Sequence, residues 1–209
     1  MKLKWMGHAC FKLTTDAGTR IVIDPYDDNT GYGTLTTTAD LLITSHGHHD
    51  HCNVQSVKGY EKRIDAEGCY EFRDVKVETL KSYHDALEGA KRGTNLLIRI
   101  EADGQSVVHL GDLGHEPDAA QLAFISSADV LLIPIGGFFT IDTDQAIRII
   151  EKAAPRAVVP MHFKTARNEY PIATSQEFSE RMKPTVIEQN EVEVVKIKGP
   201  TILQWSNQD

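Results

Sequence analysis

The chain has 209 residues, with 22 basic against 30 acidic side chains, a formal net charge of -8, 41% hydrophobic and 25% charged residues. That composition is ordinary for a globular protein, and the length suits a single domain over residues 1–209 with a core large enough to hold a buried site. The acidic balance argues against a broad nucleic-acid or anionic-membrane footprint, and no apolar run nears the roughly 20 residues of a membrane span.

The first residues enter a strand-like pattern directly, without a signal-peptide apolar stretch. Three cysteines at irregular spacing (Cys10, Cys52 and Cys69) imply no disulfide framework; both features fit a cytoplasmic protein. Residues 3–6, 10–15 and 20–24 read as consecutive antiparallel strands, the last two joined across Asp16-Ala17-Gly18. Asp24-Pro25 ends the third, because proline cannot donate to a ladder. After a polar loop over 27–38, the short apolar run Asp40-Leu41-Leu42-Ile43-Thr44 predicts a buried strand. Further strands are expected around 63–66, 69–73, 75–80, 94–101 and 105–110, the last two as a hairpin across Ala102-Asp103-Gly104. The second half alternates. A helix over 118–126 precedes a strand over 130–134 that runs into Ile135-Gly136-Gly137. Asp142 or Thr143 caps a helix reaching Ala153, with Ile147, Ile149, Ile150 and Ala153 near one face. A strand over 156–160, a helix over 175–182 and closing strands over 192–196 and 201–205 complete the chain. Strands first, then strand-helix alternation twice, predict an α/β fold of two sheets packed face to face with helices outside.

The strand at 40–44 delivers Ser45-His46-Gly47-His48-His49-Asp50-His51, the pattern His-x-His-x-Asp-His. Crowded imidazoles would repel one another once protonated, near and below their ordinary pKa of about 6.5. A divalent metal removes that conflict, since neutral imidazole and carboxylate are ordinary ligands of zinc and its neighbours. Three more such groups follow predicted strands: His84 in Ser82-Tyr83-His84-Asp85, Asp112 in His109-Leu110-Gly111-Asp112, and His162 in Val159-Pro160-Met161-His162. Seven candidate ligands without a cysteine favour an open catalytic site over a closed structural zinc site.

The sequence resembles the metallo-β-lactamase superfamily, most of all the small metal-dependent hydrolases related to L-ascorbate-6-phosphate lactonase. The resemblance rests on Gly7-His8-Ala9-Cys10-Phe11, Ile23-Asp24-Pro25, the histidine cluster, His84-Asp85, Gly111-Asp112, Pro134-Ile135-Gly136-Gly137-Phe138-Phe139-Thr140 and Pro160-Met161-His162. It implies a four-layer αββα sandwich, with two mixed sheets face to face, helices outside and the site at one edge. It also implies two divalent ions, zinc expected and Mn2+ or Fe2+ the alternatives. His46, His48 and His84 would hold the first ion, Asp50, His51 and His162 the second, with Asp112 bridging. The spacing is compatible: His46 and His48, two apart on extended backbone, point the same way, whereas Asp50 and His51 diverge. A bridging carboxylate suits cations about 3.5–4 Å apart. Asp24 reads as an orienter of the ligand loop rather than a ligand.

Two such ions lower the pKa of a shared water from about 15.7 toward neutrality. Asp50 would then orient the nucleophile and accept its proton. The expected reaction is hydrolysis of a small-molecule ester, lactone or phosphodiester. His8, at the end of the first strand, reads either as a contact to substrate or ligand shell or as a packing residue. Gly137 and Phe138 are candidate substrate contacts: the segment Gly136-Gly137-Phe138-Phe139-Thr140 offers backbone N–H groups to an anion and two phenyl rings as an apolar wall; the other reading is a tight turn packed on the core. Lys164 is either an anion contact or an exposed lysine. His115 is placed near the site, His109 in its strand, His49 facing away from the ions and Cys52 as a packing residue. The chain is shorter than the ascorbate-phosphate lactonases and has Phe138 where some relatives carry a histidine, so that substrate does not transfer. The rivals are a nuclease or phosphodiesterase of the same superfamily and a non-catalytic metal-binding module. A di-iron redox protein is disfavoured because such relatives carry a glutamate at the position of His48.

Overall fold

A computed structural model describes residues 1–204. In chain order the first part supplies β1 (Lys2–Gly7), β2 (Cys10–Thr14), β3 (Arg20–Ile23), β4 (Thr37–Thr38), β5 (Leu41–Ile43), β6 (Val57–Lys58), β7 (Lys62–Ile64) and β8 (Gly68–Phe72). Then come β9 (Val75–Tyr83), β10 (Thr94–Ala102) and β11 (Gln105–His109). Helices enter next: α1 (Ala119–Ile125), β12 (Val130–Pro134), α2 (Thr143–Ala153), β13 (Ala157–Met161) and α3 (Gln176–Met182). The described chain closes with β14 (Thr185–Ile187), β15 (Glu191–Glu193) and β16 (Gly199–Leu203).

Two large sheets share one plan, an antiparallel meander that turns parallel. In the first, ordered β15-β1-β2-β3-β5-β7, strands β1 to β3 run antiparallel and β3, β5 and β7 parallel. In the second, ordered β14-β16-β13-β12-β11-β10-β9-β8, strands β8 to β11 run antiparallel, and β12, β13 and β16 follow β11 in parallel. Sequence pattern explains the division. Every residue of β5, β12 and β13 is buried, as expected of parallel strands covered on both faces. In β9, by contrast, buried Val77 and Thr79 alternate with exposed Lys76 and half-buried Glu78. Truncating Leu42 or Ile133 to alanine in that core would cost about 2–5 kcal/mol.

Local signals set the boundaries. Asp118 and Asp142 each cap a helix through a capping box, with Gln121 and Gln145 respectively, fixing the starts of α1 and α2. The β10–β11 hairpin turns on Asp103 and Gly104, both at positive φ, the conformation that two-residue hairpins prefer. α1 packs on α2 and against β9 and β10, so these helices cover the second sheet. This is the expected α/β sandwich of mixed sheets.

Some expectations need correcting. The strand expected over 192–196 is β15 only to Glu193; Val194–Lys196 is a 3-10 turn, because the Val194 N–H bonds the Met1 carbonyl and the Ile197 N–H closes on Val194. The last strand starts earlier than expected, at Gly199, and Trp205 lies outside the described residues. β4 and β6 pair in parallel, too short to show a period. The connections from β3 to β5 and from β5 to β7 carry only the 3-10 turns Asp28–Thr30 and Val54–Ser56. Among the described residues no helix is long and apolar enough to cross a membrane.

Candidate metal centre

The predicted ligands, and with them His8 and the expected orienter Asp24, come from chain segments that leave strands. His8 follows β1, Asp24 follows β3, the histidine cluster follows β5, His84 follows β9, Asp112 lies three residues past β11, and His162 follows β13. Three of these residues, His8, Asp24 and His162, adopt left-handed backbone at φ 52, 48 and 49. That conformation costs a non-glycine residue on the order of 1 kcal/mol and turns the chain sharply at the strand end. Gly111, φ 54, has the same task with no room for a side chain: a Cβ there would sit 2.2 Å from Asn95 Oδ1 and 2.7 Å from Ser45 Cβ.

Hydrogen bonds fix which imidazole nitrogen faces inward. Asp24, fully buried, accepts from the Ser45 N–H and the Ser45 hydroxyl, both at 2.6 Å, and from His51 Nδ1 at 2.8 Å. Ser45 has one hydroxyl proton and gives it to Asp24, so at 2.9 Å it accepts from His46 Nδ1. His46 therefore keeps a bare Nε2 turned into the site, and His51 turns its Nε2 the same way, bare only when that imidazole is neutral. His109, buried in β11, bonds the Ala9 carbonyl through Nε2 and accepts the Gly111 N–H at Nδ1, locking the segment after β1 to the one before Asp112. Asn95 in β10 accepts the Asp112 N–H at 2.9 Å.

The donors fall into two groups. Ligand atoms of His46, His48 and His84 lie within 4.8 Å of one another, and so do those of His8, Asp50, His51 and His162. Asp112 stands between the groups: its Oδ2 is 3.0 Å from His84 Nε2, 3.9 Å from His46 Nε2 and 3.3 Å from His162 Nε2, and its Oδ1 is 3.1 Å from His51 Nε2. Asp24, His46 and His51 also cluster, but the oxygens of Asp24 already accept three hydrogen bonds, which makes it an orienter.

Electrostatics shows what this arrangement wants. Burial, reinforced by His51, pushes His46 down to about 3; burial, reinforced by His162, pushes His8 down to about 4. Both are neutral at physiological pH, the form that ligates metal. Burial also opposes charge on His51, yet Asp112, Asp50 and Asp24 outweigh it and hold that imidazole well above its ordinary value. The surrounding carboxylates call for a cation at this point, and a proton or a divalent metal meets the same need. His51 Nε2 and Asp112 Oδ1 are both buried without a hydrogen-bond partner among the described residues, although they face each other. Neutral imidazoles, ionised carboxylates and orphaned inward atoms together fit divalent cations.

Above these groups opens a cleft of about 330 Å³, reached by Asp50, Asp112, His48, His84 and His162. Its remaining lining includes Phe139, one of the two rings expected to shape an apolar wall, together with Arg92 and Tyr170, neither of which stands out in the sequence. His8 is fully buried behind Asp50, its Nε2 3.2 Å from Asp50 Oδ2, and is not part of the cleft lining. Phe138 is 67% exposed outside the cleft, because its left-handed turn throws the neighbouring Phe139 inward instead. The Gly137 N–H is spent on the Ile141 carbonyl, so the paired glycines form a packed turn rather than an anion cradle. Lys164 donates to the Tyr170 carbonyl at 3.1 Å, and His115 accepts the Tyr83 N–H at 3.2 Å; both support the site from outside. His49 pairs with Asp27 at the mouth. A buried asparagine in the apolar run Asn95-Leu96-Leu97 was a legible signal of a polar task.

Comparison with known proteins agrees with this construction. Residues 2–162 match the model of the family described as β-lactamase superfamily domain. A UPF0173 metal-dependent hydrolase from Carboxydothermus hydrogenoformans is 30% identical, over 79% of this chain and 85% of its own. Among solved structures, a candidate Zn-dependent hydrolase of the metallo-β-lactamase superfamily from Thermotoga maritima is 30% identical with TM-score 0.79, covering 97% of this chain and 98% of its own. Igni18, a metallo hydrolase from the archaeon Ignicoccus hospitalis, is 26% identical with TM-score 0.66, covering 87% of this chain and 90% of its own. With the family model matched over most of this chain and histidine and carboxylate donors gathered from strand ends of both sheets, the chain belongs to the β-lactamase superfamily domain family and is a metal-dependent hydrolase.

Proposed function

We propose that the chain is a two-metal hydrolase of small esters, lactones or phosphodiesters, with zinc as the expected metal. The observation that carries this reading is Asp112, whose two oxygens reach toward donors of both groups. His46, His48 and His84 would hold one ion, Asp50, His51 and His162 the other, and Asp112 both. Bound there, the ions would supply Lewis acidity and a water made nucleophilic near neutral pH. The protein groups do the rest. Asp50 is held ionised, with His51 and His8 outweighing its burial, and it faces the cleft, where it can orient the attacking water and take its proton. His8, neutral and buried, fixes the Asp50 carboxylate from behind. The cleft volume is at the small end of ligand pockets, and the net charge of -8 opposes a nucleic-acid substrate.

Metal analysis of purified protein, followed by a screen of lactones, phosphodiesters and activated esters, tests the reading. About two ions per chain are expected; saturation at one would remove the bridging role of Asp112. His48→Ala should abolish hydrolysis, and Asp50→Ala should lower it by at least about 10²–10⁴-fold, both with the fold intact by circular dichroism. Full activity in either variant would overturn the assignment.

A further inference from the structure

Arg92 is unusual among the arginines of this chain. Arg20, Arg63, Arg73, Arg99, Arg148 and Arg156 each form an ion pair with a carboxylate. Arg92 has no carboxylate partner among the described residues, although it is half-buried and lines the cleft over the metal-ligand candidates. Its guanidinium lies over the Phe139 ring, 5.4 Å from the centroid, which holds the plane in place while leaving its N–H donors free.

The backbone beneath it is fixed by one carboxylate. Asp85, buried and directly after His84, accepts four backbone N–H groups: Leu87 at 2.8 Å, Gly89 at 3.1 Å, Lys91 at 2.9 Å and Arg92 itself at 2.8 Å. A loop that would otherwise be mobile thus presents Arg92 at a set position beside the site. Tyr170 also packs edge-on against Phe139, at 6.2 Å, and its hydroxyl is buried without a partner among the described residues. Lys164, by bonding the Tyr170 carbonyl, steadies that residue as well. An unpaired guanidinium and an unpaired phenol therefore touch one aromatic ring on the wall of the cleft. Unsatisfied donors in such a place are the mark of a site completed by its ligand.

We propose that Arg92 and Tyr170 form an oxyanion subsite, and that the substrate carries a carboxylate or phosphate group apart from its scissile bond. This rests on the hydrolase reading above and narrows it to anionic substrates. A planar guanidinium donates two parallel N–H bonds to either kind of oxyanion, and the phenol adds a third donor. Phe139, touched by both, would contact the apolar part joining the anion to the scissile group.

The test compares wild type with Arg92→Ala, Arg92→Lys and Tyr170→Phe, all metal-loaded and checked for metal content and thermal stability. Two assays run side by side: kcat/KM for 4-nitrophenyl acetate against mono-4-nitrophenyl glutarate, and calorimetric titration with monomethyl glutarate and with methyl phosphate. In Arg92→Ala the preference for the anionic over the neutral ester should fall tenfold or more, chiefly through KM, with partial recovery in Arg92→Lys. Affinity for the oxyanion the subsite takes should fall tenfold or more, and the two titrations show which it is. Tyr170→Phe should lose about threefold to tenfold in the same direction. Equal losses on both esters together with unchanged titrations would make Arg92 a scaffold residue and overturn the proposal. Turnover without any dependence of selectivity on Arg92 sinks the subsite alone; Arg92-dependent oxyanion binding without turnover sinks the hydrolase reading and leaves the subsite standing.

Discussion

Asp112 and Arg92 face the same cleft but are held in opposite ways. Asp112 is 2% exposed, its backbone is bonded by buried Asn95, and the chain reaches it through a glycine that admits no side chain. Around it, Ser45, Asp24 and His51 form a connected buried network in which each proton has an assigned place. Arg92 sits on a loop whose order depends on one aspartate, and its side chain rests on a single ring. The floor is over-determined and the wall is not. Chemistry that must be placed within fractions of an ångström is built on strand ends and buried carboxylates, whereas recognition is left to loops that can be altered without disturbing the core.

The largest expected effect lies on the floor. Asp112→Asn should lower metal affinity by more than about 100-fold, beyond what loss of a supporting hydrogen bond causes. It should also destabilise the fold by about 3–5 kcal/mol, because it removes a carboxylate from the buried histidines it faces. Chelator competition and chemical denaturation measure the two. Retained affinity would show that the two donor groups act without a shared carboxylate. Asp24→Asn tests the next layer. Asp24 orients His51 and, through Ser45, His46, so a loss of about 10–100-fold in metal affinity is expected although it is not a ligand.

Asp85 decides whether floor and wall are separable. It lies beside His84 in sequence, yet both its oxygens are spent on the loop amides. Although burial opposes it, those four backbone bonds hold the carboxyl down at about 2, against an ordinary 3.8. A depressed acid stabilises the folded loop fully above the ordinary value and loses that contribution as pH falls toward its folded value. Amide exchange at Leu87, Gly89, Lys91 and Arg92 should therefore lose protection as pH drops from about 4 toward 2. Asp85→Ala should lose it at neutral pH, with metal content retained and KM raised severalfold. Loss of metal in that variant would mean that the loop also holds His84.

What the sequence revealed follows the same division. The floor was legible because metal chemistry restricts ligands to few residue types, and His46 to His51 put four of them in one turn of chain. Asp24 was expected to hydrogen-bond the ligand loop rather than to ligate, and it accepts from Ser45 and His51 of that loop. Helix starts and strand ends were legible wherever a cap or turn had a residue signature, as at Asp118, Asp142 and Asp103-Gly104. They were not where two residues pair alone, as in β4 and β6, or where a contact with the distant Met1 bends the strand after Glu193. The wall was only partly legible, for another reason. Phe139 was legible as an apolar wall beside the paired glycines, but Arg92 and Tyr170 have ordinary neighbours in sequence, and only tertiary packing brings them to that ring.

The smallest expected effect concerns the adjacent phenylalanines. Sequence alone pointed to Phe138 as the substrate contact, with both rings in one glycine turn, and that choice is corrected by the structure. The structure puts the left-handed residue at Phe138, which sends its ring to solvent and leaves Phe139 in contact with Arg92 and Tyr170. Their rings touch edge to face with centroids 4.7 Å apart, so Phe138 still lends some support to its neighbour. Phe138→Ser should change stability by no more than about 0.5 kcal/mol, as surface substitutions do. Activity on the preferred ester should stay within about twofold, because only one face of a 0.5–1.5 kcal/mol ring contact is lost. Phe139→Ala removes the ring on which the Arg92 guanidinium rests and should cost severalfold in KM. If the two substitutions exchanged ranks in parallel kinetic measurements, the turn would open to the cleft in solution the other way round, and the wall would need to be rebuilt around Phe138.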